Sequence, residues 1–299
     1  MIRRWADGAL TLNALIWGAT FVLVKAALSD VSPVLFLALR FSLATAALMV
    51  VFRTGGGGPG KGRAAAAGAS AGALLFLGYL LQTIGLRFTT APKSAFLTGL
   101  TSVLVPLLAA LVYKNRPQAS EVVGVLVATA GLGLLTELHL GAGIIPELGT
   151  IGPGELLTLF SAVAFAAYIV TMGHFSGKMD YEILSVSQIG AAAVLALSMF
   201  WWAEKPHVEW RPAVVWAILV TGLLATALAF SVQAWAQQYT SSTRTALIYM
   251  LEPVFAWMMS YFVVGEGLSG RAAVGAALIL GGVMLVEMKP LNPRPHPSE

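Results

Sequence analysis

The sequence predicts an all-α integral membrane protein of ten transmembrane helices, arranged as two inverted five-helix repeats. Three observations favour this fold class. Of the 299 residues, 58% are hydrophobic and 11% are charged, whereas soluble domains carry about 25% charged residues. Apolar runs of the length that crosses a bilayer, about 20 residues, follow one another along the whole chain. Two stretches half a chain apart also align without gaps.

Ten apolar runs, separated by charges, Pro or Gly, are the predicted membrane helices. The connections between them are short, and none is long enough to hold a soluble domain. The first run follows Arg3 and Arg4, but it is too long for the apolar core of a signal peptide, so we assign it to the first membrane helix. The runs cover residues 8–27, 32–52, 66–87, 92–112, 119–137, 152–173, 182–202, 212–235, 242–264 and 269–288.

The two aligned stretches are YLLQTIGLRFTTAPKSAFL and FSVQAWAQQYTSSTRTALI. An offset of 151 pairs Gln82 with Gln233 and Lys93 with Arg244, and the same offset holds downstream to the last run. Upstream the offset slips to 148, which pairs Arg40 with Gln188. Since five is odd, the second half enters the membrane upside down. Such inverted repeats are common in secondary transporters, whose substrates bind near the midplane between the halves.

This repeat divides the chain into four parts. The first repeat covers residues 1–137, a linker covers 138–151, and the second repeat covers 152–288. The Pro-rich tail at 289–299 is predicted to be disordered. Lys and Arg are concentrated in the connections on the side of the N-terminus, which predicts cytoplasmic N- and C-termini.

Several function classes find no support in the sequence. There is no Cys, hence no disulfide, thiolate nucleophile or Cys-ligated metal. The four His fall in connections or the tail, and no HExxH, nucleophile elbow or Walker motif is present. We therefore expect no enzyme, cofactor or metal site, and no direct ATP drive. An intramembrane enzyme and a channel are remote alternatives. A channel would need a ring of charges, and none is visible in the sequence.

Polar side chains inside the predicted spans are costly and therefore candidates for function. Arg40 could meet a substrate carboxylate, or it could cap backbone carbonyls. The amides of Gln82 and Gln233 suit a zwitterion, but they could instead join helices by hydrogen bonds. Glu252 could couple protons, or it could bond backbone amides freed by Pro253.

Aromatic and hydroxyl side chains extend this set of cavity candidates. Aromatic rings at comparable depths could form cavity walls, although lipid-facing or packing roles are equally open for each. Thr98 and Thr101 share one face of the fourth predicted helix and could join them. The aromatic candidates are Trp17, Tyr79, Tyr168, Phe230 and Tyr249.

Two further pairs mark the fourth and ninth predicted helices. Pro106 and Pro253 are predicted kinks that keep these helices bendable. Lys93 and Arg244 follow the turns that precede the two helices, on opposite sides of the membrane. We expect them to anchor the helices at the interface; matching gates or lipid-headgroup clamps are the alternatives.

The residues also resemble a known family. WGATF (17–21), LRF (39–41), TTAPKSAFLTGLTSVLVPLLAAL (89–111) and STRTALIYMLEPVFAWMMSYFVVGEGLSGRAAVGAALILGGV (241–283) are similar to EamA-type permeases of the drug/metabolite transporter superfamily. The resemblance implies a multi-pass permease of the inner (plasma) membrane with two EamA repeats, often an exporter of amino acids or related small metabolites. One loop departs from the family pattern, since KNRPQAS (114–120) replaces its usual Gly-Glu-Arg turn.

Together these observations predict a secondary transporter that exports amino acids or related metabolites by alternating access about a cavity between the repeats. A proton-independent facilitator, or an uptake carrier for another small metabolite, is the alternative. The expected partners are a small-molecule substrate and the lipid bilayer, with no nucleic acid. We expect a monomer, and a dimer is the alternative.

Overall fold

The protein is mostly helical in its computed structural model. The residues that the structure describes are 2–52, 60–89, 91–114, 118–135, 152–256, 258 and 270–287. The predicted linker at 138–151 and tail at 289–299 lie outside them. The helices are α1 (Ile2–Ala27), α2 (Pro33–Phe52), α3 (Lys61–Gly85), α4 (Ala91–Gly99), α5 (Thr101–Tyr113), α6 (Ala119–Leu135), α7 (Pro153–Ser176), α8 (Tyr181–Ala203), α9 (Pro212–Gly222), α10 (Ala229–Ala236), α11 (Ser242–Tyr249) and α12 (Gly270–Glu287); a π-helix, Leu223–Leu228, joins α9 to α10.

The described helices are those of a multi-pass membrane protein. Within the described ranges, seven helical segments are long and apolar enough to cross a bilayer, while α6 and α12 are shorter apolar helices. In the same ranges, β-pairing is limited to one isolated bridge. The predicted all-α membrane class is therefore confirmed, while the count of ten spans stays a prediction.

Two predicted helices are interrupted rather than continuous. The fourth predicted run breaks at Leu100, between α4 and α5, and the ninth breaks at Met250 and Leu251, whose amides bond only three residues back. The offset of 151 equates Leu100 with Leu251, so both halves break at the same place. Pro106 lies inside α5 and Pro253 just past the second break. Their role as kinks stays a prediction.

Helix packing follows a simple pattern of pairs. α6 packs along α12, α2 along α8, and α5 against α11. α3 contacts both α7 and α8, while α1 contacts α9, α10 and α11. Large apolar side chains remain on the outer faces of these helices, where lipid replaces water as the solvent. They include Met49, Val50, Leu107, Leu111, Leu126, Val194, Leu280 and Met284.

The last turn of α8, the connection that follows it and the start of α9 together carry four exposed tryptophans. Trp201, Trp202, Trp210 and Trp216 are all more than half exposed. Tryptophan concentrates at membrane–water interfaces because its ring is apolar and its N–H is polar. These residues therefore mark the level at which this end of the protein leaves the hydrocarbon.

Two connections are tied together at this same end. Val31 forms an antiparallel bridge with Val208, which joins the α1–α2 connection to the α8–α9 connection. The Glu204 carboxylate accepts hydrogen bonds from the amides of Val34 and Leu35, at 3.2 and 2.8 Å. Those amides belong to the first turn of α2 and have no partner within their own helix. A residue that ends α8 thus caps α2.

Glycines allow α6 and α12 to pack backbone to backbone. A Cβ added at Gly282 would lie 2.5 Å from the carbonyl oxygen of Gly124, and one added at Gly131 would lie 2.6 Å from that of Gly275. Small residues at such crossings are the usual device of membrane helix pairs, since lipid provides no hydrophobic drive. The neighbouring Gly281 faces open space, with nothing within 4 Å of its added Cβ.

We predict that Gly282→Ala lowers the melting temperature of the purified protein, because its methyl group would force α6 and α12 apart. Gly281→Ala is the matched control on the adjacent residue. It should leave the melting temperature unchanged or raise it, since Ala is the better helix former by about 1 kcal/mol. Thermal unfolding in detergent micelles measures both. Equal melting temperatures for the two variants would contradict the packing described.

Candidate functional site

An aromatic cluster occupies the middle of the helices. The ring of Phe230, on α10, lies 5.3 Å from Trp17, 6.1 Å from Tyr79 and 5.8 Å from Tyr168, measured between ring centroids. Trp17 also lies 4.7 Å from Tyr249. Edge and tilted contacts of this kind are the favoured geometries of aromatic pairs. We call these five residues the central cluster, and all five are aromatic residues that the sequence singled out.

The central cluster is only partly closed. Tyr168 and Phe230 are buried, whereas Trp17, Tyr79 and Tyr249 are half-buried. Trp17 and Tyr79 come from the first predicted repeat, and Tyr249 comes from the second. Uncovered ring surface between the helices is what a binding cavity needs, because a ligand must find accessible surface there.

Arg40 lies against the central cluster. Its guanidinium carbon sits 4.7 Å from the centre of the Tyr79 ring, and Nη2 donates to the Tyr79 hydroxyl at 3.3 Å. Nε donates to Oγ1 of Thr226 at 2.6 Å, and Nη2 also donates to the carbonyl of Ala225 at 3.3 Å. The side chain is 4% exposed.

The positive charge of Arg40 is hydrogen-bonded but not neutralised by the protein around it. Arginine stays protonated in proteins, and burying a charge is costly unless it is paired. Among the described residues no carboxylate lies within 4 Å of this guanidinium, since the ion pairs found there involve other cations. The arrangement therefore suits a ligand that brings a negative group.

The acceptors for Arg40 are presented by the π-helix. The Ala225 carbonyl accepts from Nε1 of Trp17 at 2.8 Å as well as from Arg40. Thr226 donates its own hydroxyl proton to the carbonyl of Thr221, five residues back, at 2.8 Å, which leaves its oxygen free to accept from Arg40. π-helices are rare and often lie at functional sites. Nothing in LLATAL distinguishes it from an α-helical run, so sequence reasoning missed it.

Two more polar side chains meet the central cluster. Asn13 donates to the carbonyl of Ala229 at 2.7 Å and contacts the Tyr249 hydroxyl at 3.5 Å. The Tyr168 hydroxyl donates to Oε1 of Gln188 at 2.9 Å. Asn13 was not predicted, although a polar residue inside the first apolar run was the available signal. Gln188 was visible only as the repeat partner of Arg40.

Gln82, Thr98 and Thr101 form a separate polar group. Gln82 donates to the Thr98 hydroxyl at 3.1 Å, and Thr101 donates to the carbonyl of Ala162 at 3.3 Å. The two threonines lie on either side of the break at Leu100, so they belong to α4 and α5 rather than to one helix. All three are half-buried. These hydrogen bonds join α3 to α4 and α5 to α7 and do not involve the central cluster.

Gln233 is fully buried in another network. It donates to Oε1 of Gln237 at 3.1 Å, and Gln237 donates to the carbonyl of Ile169 at 3.0 Å. Ser242 donates to the same carbonyl at 3.3 Å. These bonds join α10, α11 and α7. The structure thus places Gln82 and Gln233, which the sequence paired, in two different surroundings.

Glu252 lies near the central cluster, just past the break in the ninth predicted run. It follows Tyr249 of the central cluster by three residues. Its backbone carbonyl is held against Gly18 of α1, where an added Cβ would approach to 2.6 Å. A small residue on α1 therefore lets the helical turn at 252–256 approach closely.

Comparison with known proteins settles the family. Residues 4–136 and 152–288 match the model of the EamA-like transporter family. The chain belongs to this family. An uncharacterized transporter of Archaeoglobus fulgidus is 35% identical over 287 residues, which cover 96% of this chain and 87% of the relative. The uncharacterized transporter YoaV of Bacillus subtilis is 22% identical over 279 residues, covering 91% and 92%.

The fold of this EamA chain is also similar to that of a solved crystal structure. The two share a TM-score of 0.75 at 22% sequence identity, over 93% of this chain and 94% of the other. The family and these relatives are named as transporters, which agrees with the general role predicted from the sequence. Within the described residues no group of three or more His, Cys, Asp or Glu is placed to hold a metal ion.

We predict that Thr226→Val destabilises the protein by about 1.5–3 kcal/mol, the usual contribution of a hydrogen bond to a charged group. The substitution keeps the shape of the side chain but removes the oxygen that accepts from Arg40. Thr129→Val is the control, since its hydroxyl bonds only to a carbonyl of its own helix, Val125 on α6. Chemical unfolding in micelles compares the two, and equal free energies of unfolding would count against the role of Thr226.

Proposed function

We propose that this EamA protein is a secondary transporter that exports amino acids or related carboxylate-bearing metabolites through the inner (plasma) membrane. The observation that carries this proposal is the buried guanidinium of Arg40, which has three hydrogen-bond partners and no described counter-charge. A guanidinium and a carboxylate match in shape and charge, so a substrate carboxylate would complete the site.

The remaining groups suit the rest of such a substrate. The uncovered surfaces of Trp17, Tyr79 and Tyr249 offer apolar contact for a side chain. The carboxylate of Glu252 and the free Oδ1 of Asn13, which has no partner among the described residues, suit an ammonium group. We infer that one end of the site takes the carboxylate and the other end takes the ammonium.

We further propose that transport proceeds by alternating access between two inverted repeats. The family match falls in two stretches of similar length. The pairs α6–α12 and α2–α8 are those expected when a twofold axis relates the halves, because each joins an element to its own repeat partner. The excess of Lys and Arg in one set of connections supports cytoplasmic termini. The apolar outer faces of the helices are compatible with a monomer in lipid.

The alternative function is proton-independent facilitation, or uptake of another small metabolite. Glu252 decides between coupled and uncoupled transport in this proposal. It is an acidic group near the central cluster, and among the described residues no cation lies within 4 Å of it. A carboxyl group so placed can carry a proton across as the site changes sides.

For the substrate, we predict that Arg40→Gln lowers the flux of a carboxylate substrate by about 10- to 100-fold, as expected for losing a charged hydrogen bond. Purified protein in liposomes is offered labelled amino acids and, for each substrate found, its carboxamide. Arg40→Gln should lower the flux of the carboxamide far less than the flux of the carboxylate. The control is Arg211→Gln, an exposed ion-paired arginine in the α8–α9 connection.

Two results would contradict this assignment. One is the absence of flux above empty liposomes for every compound offered to folded protein. The other is an equal loss for the carboxylate and the carboxamide in Arg40→Gln, which would mean that Arg40 supports the structure and does not select the substrate.

For coupling, we predict that Glu252→Gln abolishes transport driven by a pH gradient and leaves substrate exchange without a gradient in place, because the amide cannot carry the proton. Liposomes with and without an imposed gradient measure the two modes. Glu209→Gln, in an exposed connection, is the control. An unchanged response to pH in Glu252→Gln would remove this residue from the mechanism and favour the facilitator.

A further inference from the structure

A buried ion pair joins α1 to α11. Arg244 donates from Nε to Oδ1 of Asp7 at 3.0 Å and from Nη2 to Oδ2 at 2.8 Å. Both side chains are buried, at 7% exposure for Asp7 and 5% for Arg244. Interface anchoring, expected for Arg244 from the sequence, does not describe it, since an anchoring side chain would extend toward the lipid headgroups. The side chain of Lys93, its repeat partner, lies outside the described residues.

The described residues of α11 around this pair are buried. The first turn of α11 is capped by Ser241, whose hydroxyl accepts from the amide of Arg244 at 3.2 Å. Residues 242–248 that follow are all buried. Ser242 bonds to the carbonyl of Ile169, so the start of α11 is held between α1 and α7. The Gln233 and Gln237 network covers the same end.

The repeat-equivalent positions of the other half are less buried. Leu247 and Ile248, on α11, are each 1% exposed, whereas their equivalents on α4, Phe96 and Leu97, are half-buried. Gln233 is likewise fully buried while its equivalent, Gln82, is half-buried. Since Gln82 and Gln233 are the same residue, their different burial reflects the surroundings of the two ends and not the chemistry of the side chain.

We propose that Asp7 and Arg244 form a latch that holds one end of the protein shut, so that the central cluster is reached from the end that carries Gln82. In this proposal the pair must separate each time the closed end opens. It rests on the alternating access proposed above, and by the charge bias of the connections the latched end is the cytoplasmic one.

The chemistry of the pair explains why it would act as a switch. A bidentate pair in a water-poor interior is favourable only while both charges face each other, because parting them would leave the buried carboxylate of Asp7 without its counter-charge. Separation is tolerable once water reaches both groups. Opening the end and parting the charges therefore happen together, which gives two discrete states in place of a gradual loosening.

The absence of Cys from the chain makes the latch directly testable. Gln82→Cys and Gln233→Cys are matched reporters at equivalent positions, and each is introduced singly. A water-soluble maleimide then reports how fast water-borne reagent reaches each end, in permeabilised vesicles without any substrate. In the otherwise unchanged chain, we expect Gln82→Cys to react faster than Gln233→Cys by about tenfold or more, the size of a modest shift between two states.

The latch is removed in each reporter by the charge-neutralising double substitution Asp7→Asn with Arg244→Gln. We expect the Gln233→Cys reaction to speed up by about tenfold and the Gln82→Cys reaction to slow down, because the open end changes sides. Exchanging the charges, with Asp7→Arg and Arg244→Asp, should restore the original order. Arg211→Gln, which removes an exposed ion pair of the α8–α9 connection, should change neither rate.

Three outcomes would overturn the proposal. These are unchanged protection of Gln233→Cys in the neutral double variant, faster reaction of both reporters together, and failure of the charge exchange to restore protection. Size-exclusion chromatography confirms that each variant is folded. Since labelling needs no substrate, a shift in accessibility without flux of any offered compound would refute the proposed substrate class and leave the latch standing.

Discussion

One buried charge without a counter-charge among the described residues, that of Arg40, joins the helices in the middle of this protein. Inside a bilayer there is no water to hydrogen-bond a polar group, so protein must supply every partner. Arg40 obtains its partners from α3 and from the π-helix, and the same Ala225 carbonyl holds Trp17 of α1. Four helical elements are therefore fixed relative to one another by the needs of one guanidinium. The aromatic rings that pack beside it inherit their positions from this arrangement.

The two predicted repeats share an apolar pattern but differ in charge. The alignment equates Arg40 with Gln188 and Glu252 with Thr101, so a cation from one half and an acid from the other have neutral counterparts. In the proposed site, Arg40 would supply a positive end and Glu252 a negative end. A zwitterion bound there would therefore have one preferred orientation.

The sequence predicted what depends on composition and periodicity. Apolar runs identified the membrane class, and the rarity of polar groups within them pointed to Arg40. The aromatic candidates Trp17, Tyr79, Tyr168, Phe230 and Tyr249 do meet in space, although the repeat offset set the relative depth of Tyr79 and Phe230 alone. Those predictions rest on the energetic cost of polar groups in lipid and on helix geometry, and both are local properties of the chain.

What the sequence did not predict depends on long-range contacts or on small backbone changes. In a π-helix each backbone hydrogen bond spans five residues instead of the four of an α-helix, and nothing in LLATAL indicates this change. The breaks at Leu100 and Leu251 carry neither Gly nor Pro at the break itself. Glu204 caps a helix that lies far from it in sequence, and the partner of Arg244 is near the opposite end of the chain. Only the folded arrangement brings such pairs together.

The bridge between Val31 and Val208 and the Glu204 cap tie the chain just past the end of α1 to the α8–α9 connection. Asp7 lies twenty residues from Ala27, the last residue of α1, which is about 30 Å at 1.5 Å per residue. If α1 tilts about its tied end when the proposed latch opens, a rotation of a few degrees displaces Asp7 by more than a bond length. Trp17, midway along the helix, then moves half as far.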